Sequence, residues 1–187
     1  MRRRVFLLTG NPGVGKTTVL IKTANTLKES GYKVGGMISR EVRQGGARVG
    51  FEILDLYTSK RGWLAHVNER SRPQVGKYGV NMQDLDNVGA QAILNAAEHC
   101  DLIAIDEIGP MELFSREFKQ AARKALESRK LVLAIVHFRA KDPLISEAQE
   151  REDAETITVT YENREKLHEV MVEKALKVLG KPNGRTH

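Results

Sequence analysis

The chain is short of the features that staple or anchor a protein. One cysteine, Cys100, among 187 residues excludes an internal disulfide and leaves no thiolate cluster for a metal. A reducing cytoplasm is the expected compartment. No stretch approaches the roughly 18 consecutive apolar residues of a membrane span. "MRRRVFLL" opens like a secretory leader, but its apolar run stops too early and a glycine-rich segment follows. Aromatic residues make up 5%, with Trp63 the lone tryptophan. An RNA surface is therefore allowed by the net charge of +6 but supported by no recognition motif or aromatic–basic stripe. Repeats, low-complexity tracts and linkers are likewise missing.

What is present fits one globular domain over residues 1–187, with 41% apolar and 29% charged residues. Val5–Leu8 is apolar on both faces and predicts a buried strand. Lys16–Leu27 carries Val19, Leu20, Ala24 and Leu27 at helical spacing. Strands are predicted at Lys33–Ser39 and along Val49, Phe51, Ile53 and Leu54. Residues 58–82, interrupted by Gly62, Pro73, Gly76 and Gly79, read as short strands and a mobile loop. A helix over Asn87–Cys100 precedes the strand "DLIAIDE", and a helix over Phe114–Arg129 precedes the strand "LVLAIVH". Asp142-Pro143 begins a further helix, "AETITVT" forms a strand, and Asn163–Leu179 forms a long amphipathic helix ending at "GKP". Strands alternating with helices, most of them apolar on both sides, predict an α/β fold with a parallel sheet covered on two faces.

"GNPGVGKTT" stands directly after the first strand. Gly10, Gly15, Lys16 and Thr17 match G-x-x-x-x-G-K-[ST], the phosphate-binding P-loop. Glycines let the backbone curl until its N–H groups converge on phosphate oxygens, and the following helix adds its positive end. Gly10, Asn11, Pro12, Gly13, Val14, Gly15, Lys16, Thr17 and Thr18 are the expected triphosphate-binding segment. Lys16 reaches the β- and γ-phosphates, and Thr17 offers its hydroxyl to Mg²⁺.

Such a site needs a second group beside the metal, and "LIAIDE" supplies two acids at a strand end. Asp106 is the expected Mg²⁺-shell carboxylate and Glu107 the group that orients water; the plainer alternative is that both form a turn. The pair resembles the P-loop class that has an additional strand and a catalytic glutamate. In that class the extra strand lies between the P-loop strand and the acid-bearing strand. "LVLAIVH" is the candidate, which makes His137 either a neighbour of the γ-phosphate or an ordinary surface histidine.

Further segments carry a closer resemblance: "EVR" at Glu41–Arg43, "RVGF" at Arg48–Phe51, "VGKYGVN" at Val75–Asn81, "DEIGPMELFS" at Asp106–Ser115 and "ENR" at Glu162–Arg164. In this order they resemble the small nucleoside-triphosphatases of thermophiles, whose human member is called the cancer-related nucleoside-triphosphatase. The resemblance implies a three-layer P-loop NTPase fold with a mostly parallel sheet and a small β-rich insertion at about 40–82. It implies hydrolysis of ATP, GTP and other nucleoside triphosphates with Mg²⁺ and broad base tolerance. By position it makes Arg164 a candidate for the base or phosphate side of the nucleotide, against a helix-start arginine paired with Glu162 or Glu165. Pro110 stands where relatives often carry a lysine, and "IVH" where they often carry "TIP", so a threonine near the γ-phosphate is missing. Arg43 or Arg48 offers a cation for transition-state charge, or belongs to a solvated basic face. Trp63 and Tyr78 either stack on a base or pack. The rival activities are a nucleotide or nucleoside kinase and a nucleotide-switched RNA-binding module.

Overall fold

The computed structural model describes residues 2–70 and 72–180. Met1, at the head of the basic amino-terminal run, and the basic tail 181–187 lie outside the described residues.

Alternation within each strand decides which side of the sheet a residue fills. In β1 (Val5–Thr9), Phe6 and Leu8 join the core beneath α1 (Lys16–Glu29) and α6 (Arg164–Leu179). Val5 and Leu7 face the opposite core, with Ile93 of α3 (Gln91–His99), Phe118 of α4 (Arg116–Glu127) and Leu144 of α5 (Pro143–Gln149). β7 (Leu102–Ile108) and β8 (Leu131–Val136) split in the same way, Leu102 and Leu133 to one side, Ile103 and Val132 to the other. Strands buried on both faces account for the continuous apolar runs in the sequence.

The remaining strands are β2 (Val34–Gln44), β3 (Ala47–Asp55), β4 (Arg61–His66), β5 (Gln74–Val75), β6 (Tyr78–Val80) and β9 (Ala154–Thr158). All nine share one sheet in the order β5-β6-β4-β3-β2-β7-β8-β1-β9. Pairings β2–β7, β7–β8, β8–β1 and β1–β9 are parallel. Pairings β2–β3, β3–β4, β4–β6 and β5–β6 are antiparallel. The sheet is thus mixed, and the irregular stretch expected around residues 58–82 contributes β4, β5 and β6 to it. β8 lies between β1 and β7, where the additional strand of the P-loop class belongs.

Strand β2 continues past Ser39, where the sequence reading ended it. It pairs with β7 only over Val34–Met37, then runs on with β3 as far as Gln44. Its second half therefore rises beyond the carboxyl edge of the parallel strands. Two helix boundaries also differ from expectation. The helix expected from Asn87 begins earlier, with a single turn α2 (Met82–Asp84) and π-helical turns over Leu85–Ala90 before α3. The helix expected from Phe114 begins at Arg116. Ser115 caps it by accepting from the Phe118 amide at 2.8 Å, and Glu112–Phe114 forms a separate 3-10 turn.

Candidate active site

The P-loop joins β1 to α1. Gly10, Gly13 and Gly15 hold φ values of 145°, 75° and 109°, which side chains with a Cβ rarely adopt. Val14 is buried beneath the loop and pins it to the core, while Asn11, Pro12 and Gly13 stay exposed. The Lys16 ammonium donates to the Gly10 and Asn11 carbonyls at 2.8 and 2.9 Å, so it is held across the mouth of the loop.

β7 brings the acids to the same place. The Thr17 hydroxyl donates to the Asp106 carboxylate at 2.8 Å, joining residues far apart in sequence. The register of β7 against β8 shifts between Ile105 and Ile108, and the Asp106–Glu107 peptide is cis. Both acids line a cavity of about 800 Å³ shared with Lys16 and Thr17. Burial pushes the Asp106 carboxyl up to about 7; the Thr17 bond and Lys16 oppose the shift and Glu107 adds to it. Burial also raises Glu107, against the pull of His137 and Lys16. Lys16 moves the other way: burial lowers it, while Glu107 and Asp106 hold it up.

The paired Thr17 hydroxyl and Asp106 carboxylate are hard oxygen donors of the kind Mg²⁺ takes. Among the described residues no group of three or more His, Cys, Asp or Glu could hold a metal ion by itself.

His137 follows β8 and lines the same cavity. Its Nδ1 accepts from the Arg139 and Ala140 amides at 3.2 and 3.0 Å. The hydrogen of the neutral ring is thereby left on Nε2. Arg164 does not line the cavity. Its stem passes 3.5 Å from where a Cβ on Gly15 would stand, its guanidinium lies 5.1 Å from the Tyr161 ring centre, and its Nε is 3.3 Å from Glu165. It borders the P-loop from outside and pairs within its own helix.

The arginines expected to supply a cation are occupied elsewhere. Glu41 accepts from both Arg43 and Arg48, and Arg48 also donates to the Tyr78 hydroxyl while lying over the Phe51 and Tyr78 rings. Tyr78 is buried in this cluster, and Trp63 packs edge-on against His66 beside a separate small hollow. Arg40, by contrast, lines the cavity, on the part of β2 that outruns β7. Sequence reasoning counted Arg40 among the six arginines of residues 40–82 but favoured Arg43 or Arg48, and it missed the buried Glu112, which lines the cavity too. The available signal for Glu112 was an acid set between Met111 and Leu113 just after a strand end.

A protein-family model described as NTPase matches residues 5–172. The chain belongs to this NTPase family. It is 49% identical over 168 residues to the nucleoside-triphosphatase THEP1 of Thermofilum pendens, covering 89% of this chain and 92% of that protein. To the nucleoside-triphosphatase THEP1 of Methanosarcina acetivorans it is 48% identical over 174 residues, covering 92% and 97%. Two solved structures share the fold. THEP1 from Aquifex aeolicus superposes with a TM-score of 0.78 at 30% identity, over 96% of this chain and 99% of that one. The human cancer-related nucleoside triphosphatase superposes with a TM-score of 0.77 at 38% identity, over 91% and 96%. In this NTPase the resemblance seen in the sequence thus extends to the whole α/β architecture.

Proposed function

We propose that this protein hydrolyses nucleoside 5′-triphosphates to the diphosphate and phosphate, with Mg²⁺ as cofactor and broad base tolerance. The observation that carries this reading is the Thr17–Asp106 hydrogen bond, because it closes the phosphate loop onto the acid-bearing strand in one cavity. The loop amides and Lys16 hold the β- and γ-phosphates. Thr17 and Asp106 would hold Mg²⁺, which when bound neutralises charge on the β- and γ-oxygens. Glu107 accepts a hydrogen bond from water and aims its oxygen at the γ-phosphorus. The new P–O bond forms as the bond to the bridging oxygen breaks, that oxygen leaves with the diphosphate, and the water's proton passes to a γ-phosphoryl oxygen of the released phosphate. Arg164, beside Gly15, would border the base or phosphate side of the nucleotide.

One continuous sheet supports a single catalytic domain over residues 1–187, with the strands around 40–82 as its insertion. The lone cysteine, Cys100, which leaves no internal disulfide to form, supports a reducing, cytoplasmic setting. Among the described residues no helix is long and apolar enough to cross a membrane.

The test is phosphate release from each common NTP and dNTP with Mg²⁺, with transfer to added nucleosides and nucleotides followed in parallel. The proposal expects release from purine and pyrimidine triphosphates alike, at rates within about tenfold, and loss of binding and turnover in Lys16→Ala. No release from any of them would overturn it. A second reading, phosphoryl transfer to an acceptor, is favoured by the apolar side of the cavity at Phe51, Leu64 and Val75. Transfer far faster than hydrolysis in the same assay would establish it.

A further inference from the structure

Tyr161 is an aromatic side chain that core packing does not explain. It is 63% exposed and stands in the turn between β9 and α6. Hydrogen bonds fix that turn. The Asn163 Oδ1 accepts from the Thr160 amide at 2.9 Å, and its Nδ2 donates to the Thr158 carbonyl at 2.9 Å. The Asn163 amide donates to the Thr160 hydroxyl at 3.2 Å, and the Arg164 amide donates to the Thr160 carbonyl at 3.1 Å. The backbone that carries the ring is thus held in one shape. The Arg164 guanidinium lies over the ring, 5.1 Å from its centre. Its Nε is 3.3 Å from Glu165, yet it is buried without a hydrogen bond.

This turn abuts the phosphate loop. The Val159 amide donates to the Thr9 carbonyl at 2.8 Å, and the Val159 carbonyl oxygen would lie 2.6 Å from a Cβ on Gly10. The Arg164 stem passes 3.5 Å from the corresponding point on Gly15. The strand order β7-β8-β1-β9 then sets a direction across the sheet. Asp106 and Glu107 stand near the end of β7, the loop follows β1, and Tyr161 follows β9. A triphosphate with its γ-phosphate at the acids and its β-phosphate in the loop therefore points its nucleoside towards Tyr161. Arg164 already shares its charge between the ring and Glu165, which leaves it better suited to a base than to a phosphate.

We propose that Tyr161, backed by Arg164, is the platform on which the nucleobase of the substrate stacks. The inference rests on the proposed hydrolysis of nucleoside triphosphates, with the γ-phosphate at Asp106 and Glu107. Every base presents a π-face, so stacking on a tyrosine discriminates only weakly among bases. The platform thereby gives broad base tolerance a structural cause. It also favours purines over pyrimidines, because two fused rings cover more of the tyrosine than one.

The experiment measures binding of Mg-ATP, Mg-GTP, Mg-UTP and Mg-tripolyphosphate to wild type, Tyr161→Ala, Tyr161→Phe and Arg164→Ala, with KM and kcat for the three nucleotides. Tyr161→Ala is expected to weaken ATP and GTP by about fivefold to fiftyfold and UTP by less, the loss falling on KM rather than kcat. Arg164→Ala should weaken the nucleotides in the same selective way. Tripolyphosphate carries no base and should bind every variant as it binds wild type. Tyr161→Phe keeps the ring and should hold ATP within about twofold of wild type. An equal loss for tripolyphosphate in either alanine variant would overturn the proposal, because it would put the defect at the phosphates. ATP and GTP binding unchanged in Tyr161→Ala would overturn it too, as would a Tyr161→Phe as weak as Tyr161→Ala. Wild type that binds nucleotides without releasing phosphate would remove the hydrolysis reading, while the binding ratios still decide the platform. Normal release with unchanged binding in Tyr161→Ala would remove the platform alone, and wild type that binds no nucleotide would remove both.

Discussion

Asp106 is buried to 3% exposure, and burial holds its proton up to about 7, whereas an unfolded aspartate titrates near 3.8. The folded state therefore binds this proton more tightly than the unfolded state. Stability from this group is fully present below about pH 4 and is lost as pH rises towards 7. Above that, the buried charge costs on the order of a few kcal/mol in the free protein. Asp106→Asn removes the charge and keeps an acceptor for Thr17. In thermal melts without nucleotide or metal, the variant should be more stable than wild type at pH 8, with the gap closing towards pH 4. An equal gap at both pH values would rule out a buried charge as the cause. The residues that read correctly from sequence share one property. Gly10, Lys16 and Thr17 are fixed by spacing along the chain, and Asp106 and Glu107 by standing at the end of an apolar strand. Arg40 and Glu112 were not legible, because what marks them is tertiary. One lies where β2 outruns β7, and the other is a buried acid in the wall of the cavity.

At the scale of elements, the connection from β7 to α4 carries the most chemistry in the fewest residues. Ser115 accepts from the Phe118 amide at 2.8 Å and donates to Asp86 at 2.5 Å, so one hydroxyl starts α4 and ties it to the π-helical turns before α3. Ser115→Ala should cost about 1–2 kcal/mol in denaturant unfolding, at the upper end for a helix cap, because a second partner is lost with it. A loss below about 0.5 kcal/mol would show that the Asp86 contact is not formed in solution. The sequence placed this helix start at Phe114, because the apolar pattern runs through Leu113 and Phe114 without a break. The 3-10 turn that separates them is held by backbone bonds to Gly109 and Met111, which periodicity does not encode. The long β2 was cut short for a similar reason. Beyond Ser39 its residues are mostly exposed and charged, and only pairing with β3 keeps them extended.

The whole molecule is a parallel unit, β2-β7-β8-β1-β9, extended on one side by antiparallel strands that overlook the P-loop. The parallel unit was legible because both faces of each central strand are apolar. The extension was only partly so, since its shortest strands, β5 and β6, are defined by their partners. The basic amino terminus, which contributes to the net charge of +6, is partly spent inside the fold. Arg4 pairs with Asp153 at 2.8 Å and donates to the Leu126 and Lys130 carbonyls, and Arg3 lies 3.5 Å from Glu155. Turnover of ATP by the purified protein should accordingly be unchanged by added RNA at physiological salt. A salt-sensitive change of about twofold or more would revive the nucleotide-switched RNA module.

The central claim is that a triphosphate held by the P-loop is cleaved by water lying under Glu107. It is tested most directly by measuring Mg-ATP binding and single-turnover phosphate release on one preparation of Glu107→Gln. The account predicts binding within about threefold of wild type and release slowed by about a hundredfold or more. Release at the wild-type rate, with binding intact, would contradict it.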